Sequence, residues 1–265
     1  YKDKSYSVEE RAKNLLSLMS LDEKIDELHV QNDPTICYND IKSGNNSHNF
    51  GGLFLIYEEH KKIIPLILKH ATENTRLGIP KLLAGEGLHG YVYKDAVIFP
   101  QNIGLACSFN KSLAYEIGKE VGRAAKSTGI RWVFAPNLDV AREPRWGRTQ
   151  ETYGEDPYLI GEFGSEYVRG IQSQGVAATL KHYIGYSVPE NGLNLSGAHI
   201  GEREIREIML PPFEKCVKAG ASAVMPAYND IDGEPMHSSK KWITDILRGE
   251  LGFDGVVVSD WGGVM

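Results

Sequence analysis

Short apolar runs and longer segments of helical period alternate along the chain. Apolar positions gather at Gly52–Tyr57, Pro80–Gly85, Trp132–Ala135, Val176–Leu180, Ala221–Met225 and Val256–Val258, and most of these runs end in polar residues. Runs of this length bounded by turn formers read as buried strands. Helical periodicity occupies 60–76, 111–127, 156–173, 202–219 and 239–250 between them. That alternation is the rhythm of parallel β-α units. The chain opens differently, on two helix starts. Ser7-Val-Glu-Glu10 and Ser20-Leu-Asp-Glu23 are capping-box patterns, and Ala12, Leu15, Leu16 and Met19 recur at helical spacing behind the first.

Two parallel architectures share this rhythm. A doubly wound sheet that binds a dinucleotide needs a glycine fingerprint opening the first helix after a strand. Gly85-Glu-Gly87 follows a strand, but His89-Gly90 and aromatic residues come next in place of the third glycine and the helix. A TIM-type (β/α)8 barrel is therefore expected. Since about six or seven strands can be counted, at least the last of eight would lie outside this chain, leaving an edge to be covered by a longer chain, a partner or a second copy. With no repeat, low-complexity tract or interdomain linker, residues 1–265 are expected to form one α/β domain.

Composition narrows the function classes. The chain has 265 residues, 42% of them hydrophobic, enough for a large core. A net charge of −6 with a pI near 5.8 argues against a nucleic-acid or anionic-membrane partner, both of which need clustered Lys and Arg. Cys37, Cys107 and Cys216 are widely spaced and odd in number, which gives neither a disulfide framework nor a zinc pattern, so free thiols are expected. No stretch approaches the roughly 18 apolar residues of a membrane helix, and no cleavable signal is visible. Because residue 1 is Tyr, a segment upstream is expected to have been processed away or to lie outside the sequence, which favours a periplasmic or extracellular protein over a cytoplasmic one.

The chemistry gathers at the strand tips. Glu86 and His89 follow the run ending at Gly85; Asp139, Arg142, Arg145 and Arg148 follow the Trp132 run; Lys181 and His182 follow the Val176 run; Tyr228 and Asn229 follow the Ala221 run; Asp260 and Trp261 follow Val256–Val258. In a parallel barrel all these tips face one end, so acids, cations and aromatics distant in sequence converge on one pocket. Carboxylates, Arg, Lys and His hydrogen-bond vicinal hydroxyls, and Trp offers a flat apolar face to a sugar ring. A neutral polyhydroxylated ligand is the chemical inference. Asp260, delivered by three consecutive valines to a strand end, is the leading candidate for a catalytic carboxylate. The His residues lack the spacing of a recognised metal site, and no cofactor is expected.

Lys181-His-Tyr183, Arg145-Trp-Gly-Arg148 with Glu151-Thr-Tyr-Gly-Glu-Asp-Pro157, Met225-Pro-Ala-Tyr-Asn229 and Val258-Ser-Asp-Trp261 resemble the ordered signatures of the glycoside hydrolase family 3 barrel domain. The resemblance runs from Ser7-Val-Glu-Glu-Arg11 to the final strand. It implies exo-acting, retaining hydrolysis of β-linked sugars, with xylose, arabinose or glucose released from the non-reducing end. Asp260 matches the nucleophile, which works with an acid about 5 Å away in retaining enzymes. Glu86, Arg148, Lys181, His182, Tyr228 and Trp261 match the residues of the terminal-sugar subsite, and Arg148 and Lys181 are the cations expected to keep Asp260 ionised. Asp139 and Arg142 are expected to form a buried structural pair beneath the pocket.

Plainer roles stand beside these. Glu86 could be a helix cap or surface acid, Arg148 could pair with Glu151 or Glu155, Lys181-His182 could be a solvated strand end, Tyr228 and Trp261 could be packing residues, and Asp260 a strand-terminal cap. Two departures from the family pattern also matter. Glu86 stands where many glucosidases of the family carry Asp, and the longer arm favours a pentose. The segment after Lys181-His182 lacks the Gly-His-Gly histidine of the N-acetylhexosaminidase branch, so the general acid is expected from a second domain or partner chain outside these residues, with Glu190 as a weaker substitute. The isolated chain is expected to be a poor catalyst, and a sugar-binding remnant that has lost turnover is the alternative. A metal-dependent barrel enzyme is a third reading.

Overall fold

Within the described residues, the predicted runs become strands and helices. The computed structural model describes residues 1–31, 33–43, 52–54 and 62–264, which form two compact units, 1–84 and 85–265.

The first unit opens with α1 (Val8–Leu18) and α2 (Leu21–Glu27), and both capping boxes form as the sequence indicates: Ser7 and Ser20 each accept the N–H of the third helical residue while Glu10 and Glu23 reach back. Neither helix buries a residue, so the helical spacing of Leu15 and Leu16 builds a helix but not a core face. Then come β1 (Val30–Gln31), α3 (Pro34–Ser43), β2 (Gly52–Phe54), α4 (Ile64–Glu73) and β3 (Leu82–Gly85). β1 pairs parallel with β2, and β2 with β3. Positions 55–57 of the run read as Gly52–Tyr57, and 60–61 of the helix read as 60–76, lie outside the described residues. α4 buries Ile64, Ile67 and Ala71, the i, i+3, i+7 stripe of an amphipathic helix.

The second unit carries α5 (Asn102–Ala106), α6 (Lys111–Ser127), β4 (Trp132–Val133), α7 (Pro157–Gln172), β5 (Ala177–Tyr183), α8 (Glu202–Glu204), α9 (Leu210–Lys218), β6 (Ala223–Pro226), β7 (Asp230–Ile231), β8 (Glu234–Pro235) and β9 (Val256–Val257). β4, β5, β6 and β9 pair in parallel, in the registers Trp132↔Ala177, Thr179↔Ala223 and Ala223↔Val256. The periodicity over 202–219 is interrupted by one widened turn, Ile205–Met209, before Pro211 and Pro212, which have no N–H to return to it. A second wide helix spans Lys240–Glu250, capped by Ser239.

One element went unread although its signal is present. β7 and β8 form an antiparallel hairpin around Asp232-Gly233, whose φ angles of 51° and 86° are those of a type I′ turn, for which Asp-Gly is a preferred pair. The Glu151–Pro157 motif is also explained locally. Asp156 accepts the N–H groups of Tyr158 and Leu159 at 2.8 and 3.3 Å as the cap of α7, Pro157 occupies the first turn, and Tyr153 is buried. No helix among the described residues is long and apolar enough to cross a membrane.

α6 and α7 meet through glycine. A methyl on Gly170 would lie 2.2 Å from the Tyr115 carbonyl oxygen and 2.7 Å from the Lys119 nitrogen, and one on Gly118 would lie 2.5 Å from the Tyr167 carbonyl oxygen. Backbone cannot yield there as a flexible side chain can. Gly170→Ala is therefore expected to destabilise the protein by about 2–3 kcal/mol, seen as a lower urea midpoint at unchanged slope. Gly104→Ala, where the nearest atom is 3.7 Å away within α5, should be neutral or stabilise by up to about 1 kcal/mol. Equal midpoints for the two variants would contradict this packing.

Candidate active site

Asp260 lies just beyond the last ladder bond of β9, where the Val258 N–H donates to the Val224 carbonyl at 2.9 Å. The residue is 5% exposed. Its two carboxylate oxygens have different surroundings. Oδ1 accepts the N–H of Trp261 at 2.8 Å. Oδ2 is buried without a hydrogen-bond partner among the described residues and faces Nε2 of His182 at 3.6 Å. The cap expected as a plainer role is thus present on one oxygen only.

His182 and Lys181 come from the end of β5. The other edge of the His182 ring, Nδ1, lies 2.7 Å from Oδ2 of Asp139, and both side chains are buried. Burial drives the pair toward its uncharged forms. It pushes the Asp139 carboxyl up to about 8 against the pull of Arg148, and holds His182 well below the ordinary imidazole range, aided by Arg148 and Lys181. The expected Asp139–Arg142 pair does not form. Arg142 is exposed, whereas Asp139 turns inward because its amide is tied to Oδ1 of Asn137 at 2.8 Å, which aims the carboxylate at the histidine.

The cations are held by other carboxylates. Lys181, 3% exposed, places Nζ 3.0 Å from Oε2 of Glu86. Glu86 follows β3 in a loop anchored by the Tyr167 hydroxyl, which donates to the carbonyls of Gly87 and Leu88 at 2.7 and 3.0 Å. Arg148 forms a two-pronged pair with Glu151, both bonds 2.8 Å. Burial alone would weaken the guanidinium's hold on its proton, but this pairing more than offsets it. Glu151 shows the mirror effect: burial raises its carboxyl, and Arg148 brings it below the usual value. Of the two roles open to Arg148 in the sequence, structural pairing with Glu151 is therefore present, and it leaves the guanidinium partly exposed.

Tyr186 joins these groups without a motif to mark it in the sequence. Its ring lies 4.9 Å from His182, 5.8 Å from Tyr228 and 5.0 Å from Trp146, and the Arg148 guanidinium sits 5.5 Å from its centre. Such edge-to-face and cation-π contacts fix neighbours without hydrogen bonds. The only sequence clue was its position, five residues after Lys181 in the loop leaving β5. Tyr228, half-buried after β6, faces Asp260, and burial together with that carboxylate keeps its phenol protonated well above the usual range. Trp261 is 46% exposed and contributes its backbone N–H to Asp260 and an indole to the surface.

Other sequence candidates fall elsewhere. His89 Nδ1 lies 2.9 Å from the Phe99 carbonyl oxygen. Arg145 pairs with Glu143 on the surface. Glu190 is exposed and lies 3.8 Å from His199. Among the described residues no three His, Cys, Asp or Glu side chains converge as metal ligands. Cys107 is exposed and Cys216 buried, both as free thiols.

The arrangement is a buried acid with one bare oxygen, bordered by a neutral imidazole, a phenol, two held cations and an exposed indole. Residues 20–265 match the Glycosyl hydrolase family 3 N terminal domain. A beta-xylosidase of Formosa agariphila is 40% identical over 205 residues, 72% of this chain and 28% of that protein. A lysosomal beta glucosidase of Dictyostelium discoideum is 40% identical over 197 residues, 69% of this chain and 24% of that protein. Among solved structures, a β-glucosidase from Erythrobacter marinus aligns at a TM-score of 0.93 and 31% identity over 100% of this chain and 37% of its own. The beta-glucosidase of Listeria innocua in complex with isofagomine aligns at 0.88 and 33% over 97% and 37%. These likenesses bear out the α/β class, of the incomplete-barrel kind, expected from the sequence. The chain spans 28% and 24% of the length of the two curated relatives. It belongs to glycosyl hydrolase family 3, of which it carries the N-terminal domain.

Proposed function

We propose that this chain is the sugar-binding and nucleophile-bearing part of a retaining exo-β-glycosidase, with Asp260 as the nucleophile. The observation that carries the reading is the bare, buried Oδ2 of Asp260. A carboxylate oxygen with no donor to satisfy it keeps its electron pair for an incoming centre. In the first step Oδ2 bonds to the anomeric carbon as the glycosidic oxygen leaves with a proton from a general acid. In the second, water deprotonated by that same group displaces Asp260 and releases the sugar with its configuration retained. The acid comes from polypeptide beyond this N-terminal domain, in keeping with the small share of its relatives' length that the chain spans.

Glu86, Arg148, Lys181, His182, Tyr228 and Trp261 hold the terminal sugar. The salt bridges support this role, because paired Glu86–Lys181 and Arg148–Glu151 side chains present donors and acceptors at fixed positions to vicinal hydroxyls. Glu86 favours a pentose. Its carboxylate is held by Lys181, and the methylene that glutamate adds over aspartate carries it further toward the space a hydroxymethyl group would need.

Asp260→Asn in the full-length natural protein is expected to lower turnover of nitrophenyl β-glycosides by at least about three orders of magnitude while leaving the thermal unfolding profile in place. Near-wild-type turnover would rule out Asp260 as the nucleophile. The wild type should prefer nitrophenyl xyloside to glucoside in kcat/KM, and Glu86→Asp should move that ratio toward glucoside by about tenfold or more, the scale set by one carbon in a pocket. An unchanged ratio would remove Glu86 from the determinants of sugar choice.

A further inference from the structure

We infer that His237 is a positioning residue for Asp260, acting as a neutral hydrogen-bond acceptor that fixes the backbone from which the carboxylate projects. This rests on the reading of Asp260 as the nucleophile. His237 lies in the single turn Met236–Ser238 between the β7–β8 hairpin and the helix that begins at Lys240. Its Nε2 accepts the N–H of Asp260 at 3.0 Å. The geometry requires it. Asp260 lies past the parallel ladder, is buried, and offers an N–H that no strand carbonyl takes up, so the imidazole supplies the acceptor the sheet no longer provides.

Three further features point the same way. The ring also faces the Ala227 backbone at the end of β6, and because Nε2 accepts the Asp260 N–H, its single proton sits on the other nitrogen. Burial lowers the ring's proton affinity, which keeps that lone pair available despite the Asp260 charge. The turn after Asp260 closes around the imidazole: the Gly263 N–H donates to the Asp260 carbonyl at 3.0 Å, and a methyl on Gly263 would lie 2.3 Å from Nε2 of His237. The histidine thus ties the end of β6, which leads into Tyr228, to the backbone of Asp260. It touches neither carboxylate oxygen in a hydrogen bond, so it acts on the reacting atom only through the main chain.

The test uses the full-length natural protein and three variants. His237→Leu removes the acceptor and keeps an apolar side chain; His237→Gln returns a carbonyl oxygen near the reach of Nε2; Gly263→Ala keeps the histidine and displaces its ring. His237→Leu and Gly263→Ala should lower kcat on the order of 30-fold with KM changed less than about threefold, as expected for a misplaced reacting group, and His237→Gln should recover kcat to within about threefold of wild type. If His237→Leu does not fold, Gly263→Ala and His237→Gln decide the matter alone. The inference fails if kcat is unchanged in His237→Leu or Gly263→Ala, if the loss falls in KM, or if His237→Gln is as impaired as the leucine variant. Run beside Asp260→Asn, these outcomes separate two failures: turnover lost in Asp260→Asn but intact in His237→Leu removes only the role of His237, whereas turnover surviving in Asp260→Asn removes the nucleophile and its positioning together.

Discussion

The site depends on one carboxylate oxygen, Oδ2 of Asp260, left without a donor while the cations beside it are held by other acids. Buried carboxylates are normally surrounded by donors, because a lone pair without a partner away from water is costly. In Asp260, Oδ1 accepts the Trp261 N–H, while Oδ2 has no hydrogen-bond partner among the described residues. Tyr228 faces the carboxylate, and the nearby cations and imidazole are each held by another acid. Lys181 is bound to Glu86, Arg148 to Glu151, and His182 is anchored to Asp139 on its far edge. Each charged side chain has its own counter-charge, so no cation collapses onto Asp260 to quench it.

This pairing also shapes the electrostatics. Two cations and their two carboxylates cancel in number, and the Asp139–His182 couple is driven by burial toward neutrality. Asp260 then stands as the carboxylate of the site without a counter-charge of its own. The proposed neutral, hydroxyl-bearing ligand suits such a carboxylate better than an anion would, in keeping with the acidic balance of the chain. Tyr186 contributes through shape. Its ring is the common wall against which His182, Arg148 and Tyr228 rest, so their separation is set by an aromatic plate and not by flexible side-chain torsions.

Much of the fold was legible because its signals are local. Ser7 and Ser20 announce helix starts through chemistry three residues long, and helix 111–127 is recovered to the residue because its apolar spacing and Asn110 cap agree. The strand tips were legible because a hydrophobic run leaves few places for a charged residue to go. Partner choice at those tips was not. Asp139 and Arg142 stand three residues apart and invite pairing, yet the amide clamp from Asn137 turns the acid toward a histidine 43 residues away, a contact with no trace in local sequence. Tyr186 and His237 went unseen for the same reason: one is defined by the rings that meet on it, the other by a single backbone amide brought to it across the fold.

The role of Asp260 is tested most directly by trapping the full-length natural protein with a 2-deoxy-2-fluoro glycosyl donor, which slows breakdown of a covalent glycosyl-enzyme, and locating the adduct by peptide mass spectrometry. One sugar per chain is expected, attached to the peptide that contains Asp260. An adduct on another carboxylate, or steady release of product with Asp260 unmodified throughout, would contradict it.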